Sequence, residues 1–221
     1  MKLQDQLDAF KADFEAGNLS FNLPSAVHRL LHSANEELIA SGAEKAALSV
    51  GDIAPDFVLQ DTQGNRVSSE QLLAEGPLIV SFYRGWWCPY CNLDLQTLQA
   101  AMPELQRYSA SVVAVSPQLP ANGRKMQQDN DLAFPILADI GNLLAARFGL
   151  RFALTAELIE LYSNSFNLDL AALNGDGSWT LPMPARFVIA PTKEIVFAQV
   201  SADYTRRSEP LALIPVLQSL K

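Results

Sequence analysis

The sequence predicts an α/β fold in which helices flank a central sheet, preceded by a helical extension. Two nearly continuous apolar runs, "PLIVSFYR" at 77–84 and "SVVAVS" at 111–116, are typical of strands covered on both faces. Helical segments alternate with these strands, and "ARFVIA" and "EIVFAQV" around the turn "PTK" predict a late hairpin. This order of elements indicates a layered α/β domain around one sheet.

Residues 1–47 form the extension, and we expect them to be an arm distinct from a main domain at 48–221. Apolar residues recur at helical spacing in two groups: Leu3, Leu7, Phe10 and Phe14, then Val27, Leu31, Ala34 and Leu38. Gly17 and Pro24 separate the two helices, and Ser20 or Ser25 is expected to cap the second. We expect the arm to pack on the core or on a second subunit, which includes a homodimer formed through it.

The other elements follow from local patterns. "DFVLQD" and "AFPILAD" predict strands, and "SSEQLLAEG", "ANGRKMQQDND" and "GNLLAARFGL" predict helices. A longer helix is expected from Cys88 to about Tyr108, kinked or broken at Pro103. Residues 151–181 form a less regular insertion that is helical at "TAELIELYSN", and "SEPLALIPVLQSL" predicts a closing helix capped by Ser208.

Composition argues against several classes of function. The formal net charge is -8 and the pI is near 4.7, so no basic surplus exists to neutralise a nucleic-acid backbone. "MKLQDQLDAFKADFEAG" has no apolar segment of the kind found in signal peptides. No apolar run is long enough to predict a membrane span. We therefore expect a cytoplasmic protein without nucleic-acid or membrane partners.

The stretch "GWWCPYC" at 85–91 carries the only two cysteines. A buried strand is predicted to end at Arg84 and a helix to begin at Cys88, where unpaired N–H groups and the helix dipole favour an anion. Such a position lowers a thiol pKa, and Pro89 suits the first helical turn. Cys91 follows one turn later, so the pattern predicts a nucleophilic sulfur with a second sulfur placed to resolve a mixed disulfide.

Two other interpretations of the cysteine pair are less favoured. A zinc site needs four ligands, and the only histidines, His28 and His32, belong to the distant arm, where we interpret them as part of a solvated face. A purely structural disulfide between Cys88 and Cys91 closes a very small loop and gains little chain entropy. We expect neither a metal nor another cofactor.

"WCPYC" resembles the active-site motif of the thioredoxin superfamily, and a wider stretch resembles the peroxiredoxins of the alkyl hydroperoxide reductase and thiol-specific antioxidant family. The segments that carry the second resemblance are "GDIAPDFVLQDTQGNRVSSEQLL", "PLIVSFYRGWWCPYC", "VVAVSPQ", "AFPILAD" and "LLAARFGL", within about residues 50–205. The resemblance implies a thioredoxin-like fold and reduction of peroxides or disulfides. It also implies that the thioredoxin or glutathione system restores the dithiol.

The sequence departs from the peroxiredoxin pattern at two places. That family usually has Pro where this chain has Arg84, and Thr where it has Cys88, so a peroxiredoxin alignment makes Cys91 the peroxide-reacting sulfur. A thioredoxin alignment instead makes Cys88 the nucleophile, and exposure at a helix start favours Cys88 for disulfide exchange. Pro184 stands where peroxiredoxins place an activating Arg. Thioredoxin-like proteins have a cis-Pro there, so a cis bond is expected at Pro184, with Arg186 pointing elsewhere.

Several further side chains are candidates near the pair. Arg84 is either a stabiliser of the thiolate or peroxide, or a surface charge, and Trp86 and Trp87 are expected to include one substrate-facing residue. The segment "DYTRR" at 203–207 is interpreted as a strand-to-helix loop, and Asp94 as a complement to the helix dipole. The predicted substrate-binding set is therefore Trp87, Pro184 and Arg84.

The sequence and the resemblance favour the first of three functions and leave the other two as alternatives. The first is a thiol peroxidase with a Cys88/Cys91 dithiol–disulfide cycle, and the second is a protein disulfide reductase with little peroxidase activity. The third is a redox-sensing or scaffold protein on the same fold.

Overall fold

A mixed sheet of seven strands forms the centre of the computed structural model, which describes residues 2–18 and 23–220. Its strands are Val58–Asp61 (β1), Arg66–Ser68 (β2), Leu78–Phe82 (β3), Ser111–Ser116 (β4) and Ile136–Ala138 (β5), with Ala185–Ile189 (β8) and Ile195–Val200 (β9). A separate two-stranded sheet consists of Arg151–Ala153 (β6) and Thr180–Pro182 (β7). The strand order in the main sheet is β2-β1-β5-β4-β3-β8-β9.

The two apolar runs are the central strands, as the sequence predicts. β3 pairs in parallel with β4 and antiparallel with β8, while β8 and β9 form the predicted hairpin. All five residues of β3 are buried. Ile79 packs in the core on one face of the sheet, whereas Val80 and Phe82 pack on the other, which explains why the strand does not alternate with polar residues.

The α-helices of the described residues cover both faces of the sheet. They are Leu3–Ala16 (α1), Ser25–Ala40 (α2), Ser69–Glu75 (α3), Pro89–Gln106 (α4), Pro120–Asp129 (α5), Leu143–Arg147 (α6), Ala156–Glu160 (α7), Leu170–Asn174 (α8) and Ile214–Gln218 (α9). Helix α4 continues through Pro103, so the expected break is absent. Leu105, beyond the proline, is fully buried, and this burial compensates for the backbone bond that proline cannot make.

The arm packs on its own chain. Helix α1 lies on α4, and α2 lies on α7. Leu3 and Leu7 have no exposed surface. Pro24, not a serine, occupies the N-cap position of α2, with Ser25 as the first helical residue; Ser20 lies outside the described residues. The division at residue 47 stays a prediction.

Two further segments differ in detail from the predictions. The insertion is helical at α7, which Thr155 caps, and continues as a π turn over Leu161–Ser165. The closing segment begins as a 3-10 turn over Pro210–Leu213, with Glu209 at its N-cap, so Ser208 does not cap it. Among the described helices, none combines the length and apolarity needed to cross a bilayer.

We expect Leu7→Ala to lower the free energy of unfolding by about 2–5 kcal/mol, because it leaves a cavity between α1 and α4. Urea denaturation followed by circular dichroism measures the change. The matched control is Leu143→Ala, since Leu143 is 66% exposed, and a change below about 0.5 kcal/mol is expected there. Equal effects of the two substitutions would contradict an arm that is integral to the fold.

Candidate active site

The cysteine pair lies where a strand, a loop and a helix meet, as the sequence predicts. β3 ends at Phe82, and Cys88 is the N-cap residue of α4 with Pro89 in the first turn. The Cys88 carbonyl accepts hydrogen bonds from the backbone N–H groups of Cys91 at 3.0 Å and Asn92 at 3.1 Å. Cys88 therefore lies at the positive end of the α4 dipole, which favours a negative charge there.

Short contacts fix the loop before Cys88. A Cβ atom at Gly85 would lie 2.4 Å from Trp87 Nε1, so only glycine fits against that ring. The Trp86 amide donates to Gln118 Oε1 at 2.9 Å. The Asn92 side chain donates to the carbonyls of Trp86 at 2.8 Å and Cys88 at 2.9 Å. These bonds hold the loop against the first turn of α4.

The two thiols are free, buried and hydrogen-bonded to each other. Burial by itself raises the pKa of Cys88, but the hydrogen bond with Cys91 and the positive charges of Arg84 and Arg207 lower it to about 6. Burial raises the pKa of Cys91 well above its usual range, and the hydrogen bond with Cys88 and the charge on Cys88 raise it further. The negative charge of the pair therefore resides on Cys88.

Arg84 is buried rather than a surface charge. Its guanidinium donates a hydrogen bond to the Tyr162 hydroxyl and lies over the rings of Trp87, at 5.1 Å, and Tyr204, at 4.4 Å. Among the described residues, no carboxylate forms an ion pair with Arg84. An unpaired buried cation stabilises a nearby anion, and the Cys88 thiolate is that anion.

A buried ion-pair cluster lies behind Cys91. Asp94, 2% exposed, accepts from Arg186 at 2.6 Å and lies 3.3 Å from Arg207 Nε. Arg207 Nη2 is 3.5 Å from Cys91 Sγ. The interpretations of Asp94 as a dipole complement and of 203–207 as a plain loop missed this cluster. The consecutive arginines in that segment were the available signal, but only Arg207 is buried, where it pairs with Asp94, whereas Arg206 is exposed.

The expectation of a cis bond at Pro184 is wrong, whereas its role in substrate binding stays a prediction. No peptide bond in the described chain is cis. The Pro184 carbonyl accepts from the Ser201 amide at 3.0 Å, directly before the β8–β9 pairing begins at Ala185. Pro184 lines a small cavity with Arg84 and Tyr204, and Cys88 does not contribute to that cavity.

Cys88 opens into a larger cavity of about 310 Å³. It is lined by Arg84 and Trp87, two of the residues predicted to bind substrate, and also by Trp86. Its aromatic lining consists of Phe10, Phe14, Trp86, Trp87, Tyr90, Tyr162, Phe166 and Tyr204. The structure thus brings Cys88, Arg84 and Trp87 to one cavity and leaves Pro184 outside it.

The histidines take no part in this site. His28 packs against the Phe14 ring at 4.5 Å, and His32 pairs with Glu36 at 3.2 Å. Within residues 2–18 and 23–220, no cluster of three or more His, Cys, Asp or Glu side chains is arranged to hold a metal ion.

A thiol pair at a helix N-terminus beside a central mixed sheet, with one sulfur of lowered pKa, defines a thiol-dependent oxidoreductase. The model of the AhpC/TSA family matches residues 50–198, and the chain belongs to that family.

Relatives of known sequence or structure agree with this assignment. A putative peroxiredoxin of Mycobacterium tuberculosis is 26% identical over 122 residues, which cover 55% of this chain and 79% of that protein. The thiol-disulfide oxidoreductase ResA of Geobacillus thermodenitrificans is 30% identical over 118 residues, or 53% of this chain and 67% of ResA.

Two solved structures show the same fold. Peroxidoxin BcpB of Mycobacterium tuberculosis has a TM-score of 0.62 and 20% identity, with coverage of 79% of this chain and 99% of BcpB. Mycobacterium tuberculosis AhpC has a TM-score of 0.57 and 18% identity, with coverage of 79% of this chain and 93% of AhpC. The thioredoxin-like fold with a central mixed sheet is therefore confirmed.

We expect iodoacetamide to label Cys88 with a half-maximal rate at pH about 6, because only the thiolate reacts. Below this pH the protonated thiol is unreactive, and above it labelling reaches a plateau. Brief pulses at different pH values, followed by peptide mass spectrometry, measure the midpoint. A midpoint near the ordinary thiol pKa of about 8.5 would contradict the assignment of the charge to Cys88.

The variant Arg84→Met should raise that midpoint by about one pH unit or more, because it removes a buried cation beside the thiolate. The matched control is Arg147→Met, since Arg147 is exposed and donates to the Asp56 carbonyl, away from the cysteine pair. The control should keep the midpoint of the unaltered protein. Equal midpoints in the two variants would show that Arg84 does not stabilise the thiolate.

Proposed function

We propose that this chain reduces peroxides through a Cys88/Cys91 dithiol–disulfide cycle in which Cys88 is the attacking sulfur. The observation that carries the proposal is the geometry of Cys88. It is the thiol with the lowered pKa, it lies at a helix N-terminus, and it lines the cavity beside the Arg84 guanidinium. Cys91 has a raised pKa and does not line that cavity.

The first step consumes the peroxide. The Cys88 thiolate attacks the terminal oxygen of ROOH, the O–O bond breaks, and a sulfenic acid forms on Cys88. The leaving alkoxide takes up a proton and departs as an alcohol. Arg84 faces the same cavity, so its positive charge stabilises the negative charge as it moves from sulfur to the leaving oxygen.

The second step forms the disulfide. The Cys91 sulfur attacks the Cys88 sulfenic sulfur, the hydroxyl group leaves as water with the Cys91 proton, and an S–S bond joins the two residues. Arg207, 3.5 Å from Cys91 Sγ, stabilises the thiolate character that Cys91 needs for this attack. Two electrons from an external dithiol, or from two thiols, then restore the reduced pair.

The thioredoxin or glutathione system is the proposed reductant, in accordance with the use of thiol reductants in this family. A cytoplasmic location stays a prediction. A homodimer through the arm also stays a prediction, and it would have to use the outer face of the arm, because Leu3, Leu7 and Val27 are buried within the same chain.

Reduction of protein disulfides is the second candidate function. It is supported by the CPYC pair and by the 30% identity to ResA, a thiol-disulfide oxidoreductase. The 2% exposure of Cys88 argues against it, because a disulfide carried by a folded protein has to reach the attacking sulfur. The redox-sensor or scaffold interpretation predicts oxidation of the pair without turnover of either substrate.

We expect Cys91→Ser to accumulate a sulfenic acid on Cys88 after one equivalent of hydrogen peroxide, because the resolving sulfur is absent. Dimedone labelling and peptide mass spectrometry locate the modified residue. The matched variant Cys88→Ser should remain unlabelled at Cys91. Sulfenic acid on Cys91 in that variant, at a comparable rate, would reverse the assigned roles.

Turnover measured on the unaltered protein separates the candidates. Peroxide consumption with thioredoxin as reductant, faster than that of a free thiol, supports the peroxidase. Reduction of insulin disulfides without peroxide turnover would favour the disulfide reductase over the peroxidase. If the protein is inactive in both assays, the redox-sensor or scaffold interpretation is the one that fits.

A further inference from the structure

The cavity over Cys88 has a wall that lies outside the family-matched region. Phe10 and Phe14 of α1 and Leu31 of α2 line it, whereas the family match begins at residue 50. We propose that this arm wall, formed by Phe10, Phe14 and Leu31, determines which substrates reach Cys88. The inference rests on the proposed peroxidase function and names the substrate class of the same site.

Packing fixes the arm wall in position. Leu7 is fully buried one turn before Phe10, whose ring contacts the Tyr90 ring edge-on at 5.2 Å. Tyr90 belongs to the first turn of α4, two residues after Cys88. Phe14 stacks at 6.4 Å on Phe10. The wall therefore has direct contact with the helix that carries the cysteine pair.

Hydrogen bonds connect both arm helices to the segment that carries Arg207. The Gln4 side chain donates to the Thr205 carbonyl at 3.2 Å and accepts from the Arg207 amide at 3.2 Å. The Asn35 side chain donates to Asp203 at 3.2 Å. These hydrogen bonds attach both arm helices to the segment that carries Arg207, which also carries the cavity-lining residue Tyr204.

The chemistry of the cavity indicates the substrate. Its walls are aromatic and aliphatic, and the guanidinium of Arg84 is the charged group beside Cys88. About 310 Å³ is at the lower end of the volumes that hold small organic ligands. This combination fits a compact hydroperoxide with an aryl or branched alkyl group, whose apolar part gains from burial while its peroxide group meets Cys88 and Arg84.

Filling the cavity from the arm tests the inference. We expect Leu31→Trp to lower kcat/KM for cumene hydroperoxide about tenfold or more, because the steric cost falls on the apolar group. The value for hydrogen peroxide should change less than about twofold, since that molecule needs no apolar space. Leu31→Phe, with a smaller added volume, should give an intermediate loss.

The matched control is Ile39→Trp. Ile39 lies on the same helix α2, is 47% exposed and does not line the cavity. It should leave both kcat/KM values unchanged. If Leu31→Trp lowers kcat/KM equally for cumene hydroperoxide and hydrogen peroxide, or lowers neither value, the arm wall does not select substrates. The peroxidase function would stand in either case.

Alkylation of Cys88 provides a readout that needs no peroxide turnover. Leu31→Trp should slow labelling by the bulky reagent N-phenylmaleimide about tenfold and leave the rate with iodoacetamide unchanged, which also shows that the variant is folded. If the unaltered protein turns over no peroxide, the proposed function fails and this ratio still tests the wall. An unchanged ratio of the two rates would overturn the inference.

Discussion

The site depends on one buried carboxylate. Asp94 lies on α4 between the guanidiniums of Arg186 and Arg207, and all three side chains are almost completely buried. Buried charges are stable only when they are paired, and loss of one partner typically costs about 3–5 kcal/mol. This pairing joins α4, β8 and the segment before α9, and it keeps Arg207 beside Cys91. The position of Arg207 relative to Cys91 therefore follows from Asp94.

Positive side chains outnumber negative ones around the cysteine pair. Arg84, Arg186 and Arg207 are three buried cations, whereas Asp94 is the one carboxylate among the described residues that pairs with any of them, and it pairs with Arg186 and Arg207. The Cys88 thiolate supplies negative charge to this region in the reduced state, and formation of the disulfide removes it. The electrostatics thus stabilise the reduced form relative to the disulfide, which makes a dithiol pair more oxidising. Such a pair accepts electrons from an external thiol readily, as the last step of the cycle requires.

The arm helices contribute both to the stability of the fold and to the proposed selection of substrates. Its apolar residues complete the core beside α4, and the same helices present Phe10, Phe14 and Leu31 to the cavity. A buried face holds the arm in place, so the cavity wall does not depend on a flexible lid. Cys88 is only 2% exposed, which favours small substrates over folded proteins.

The sequence by itself determined the α/β class, the central strands and the placement of the cysteine pair at the start of α4. Periodicity, a CxxC spacing and a proline in the first helical turn are local signals, and local signals can be read along the chain. Only the tertiary structure shows that the pKa of Cys88 is lowered and that of Cys91 raised, that the bond before Pro184 is trans, and that Asp94 and Arg207 are buried together. These depend on burial and on charges that approach across more than ninety residues of sequence. No local pattern encodes which distant side chain will neutralise a buried charge, because that partner is set by the packing of α4 against β8 and the chain that follows β9.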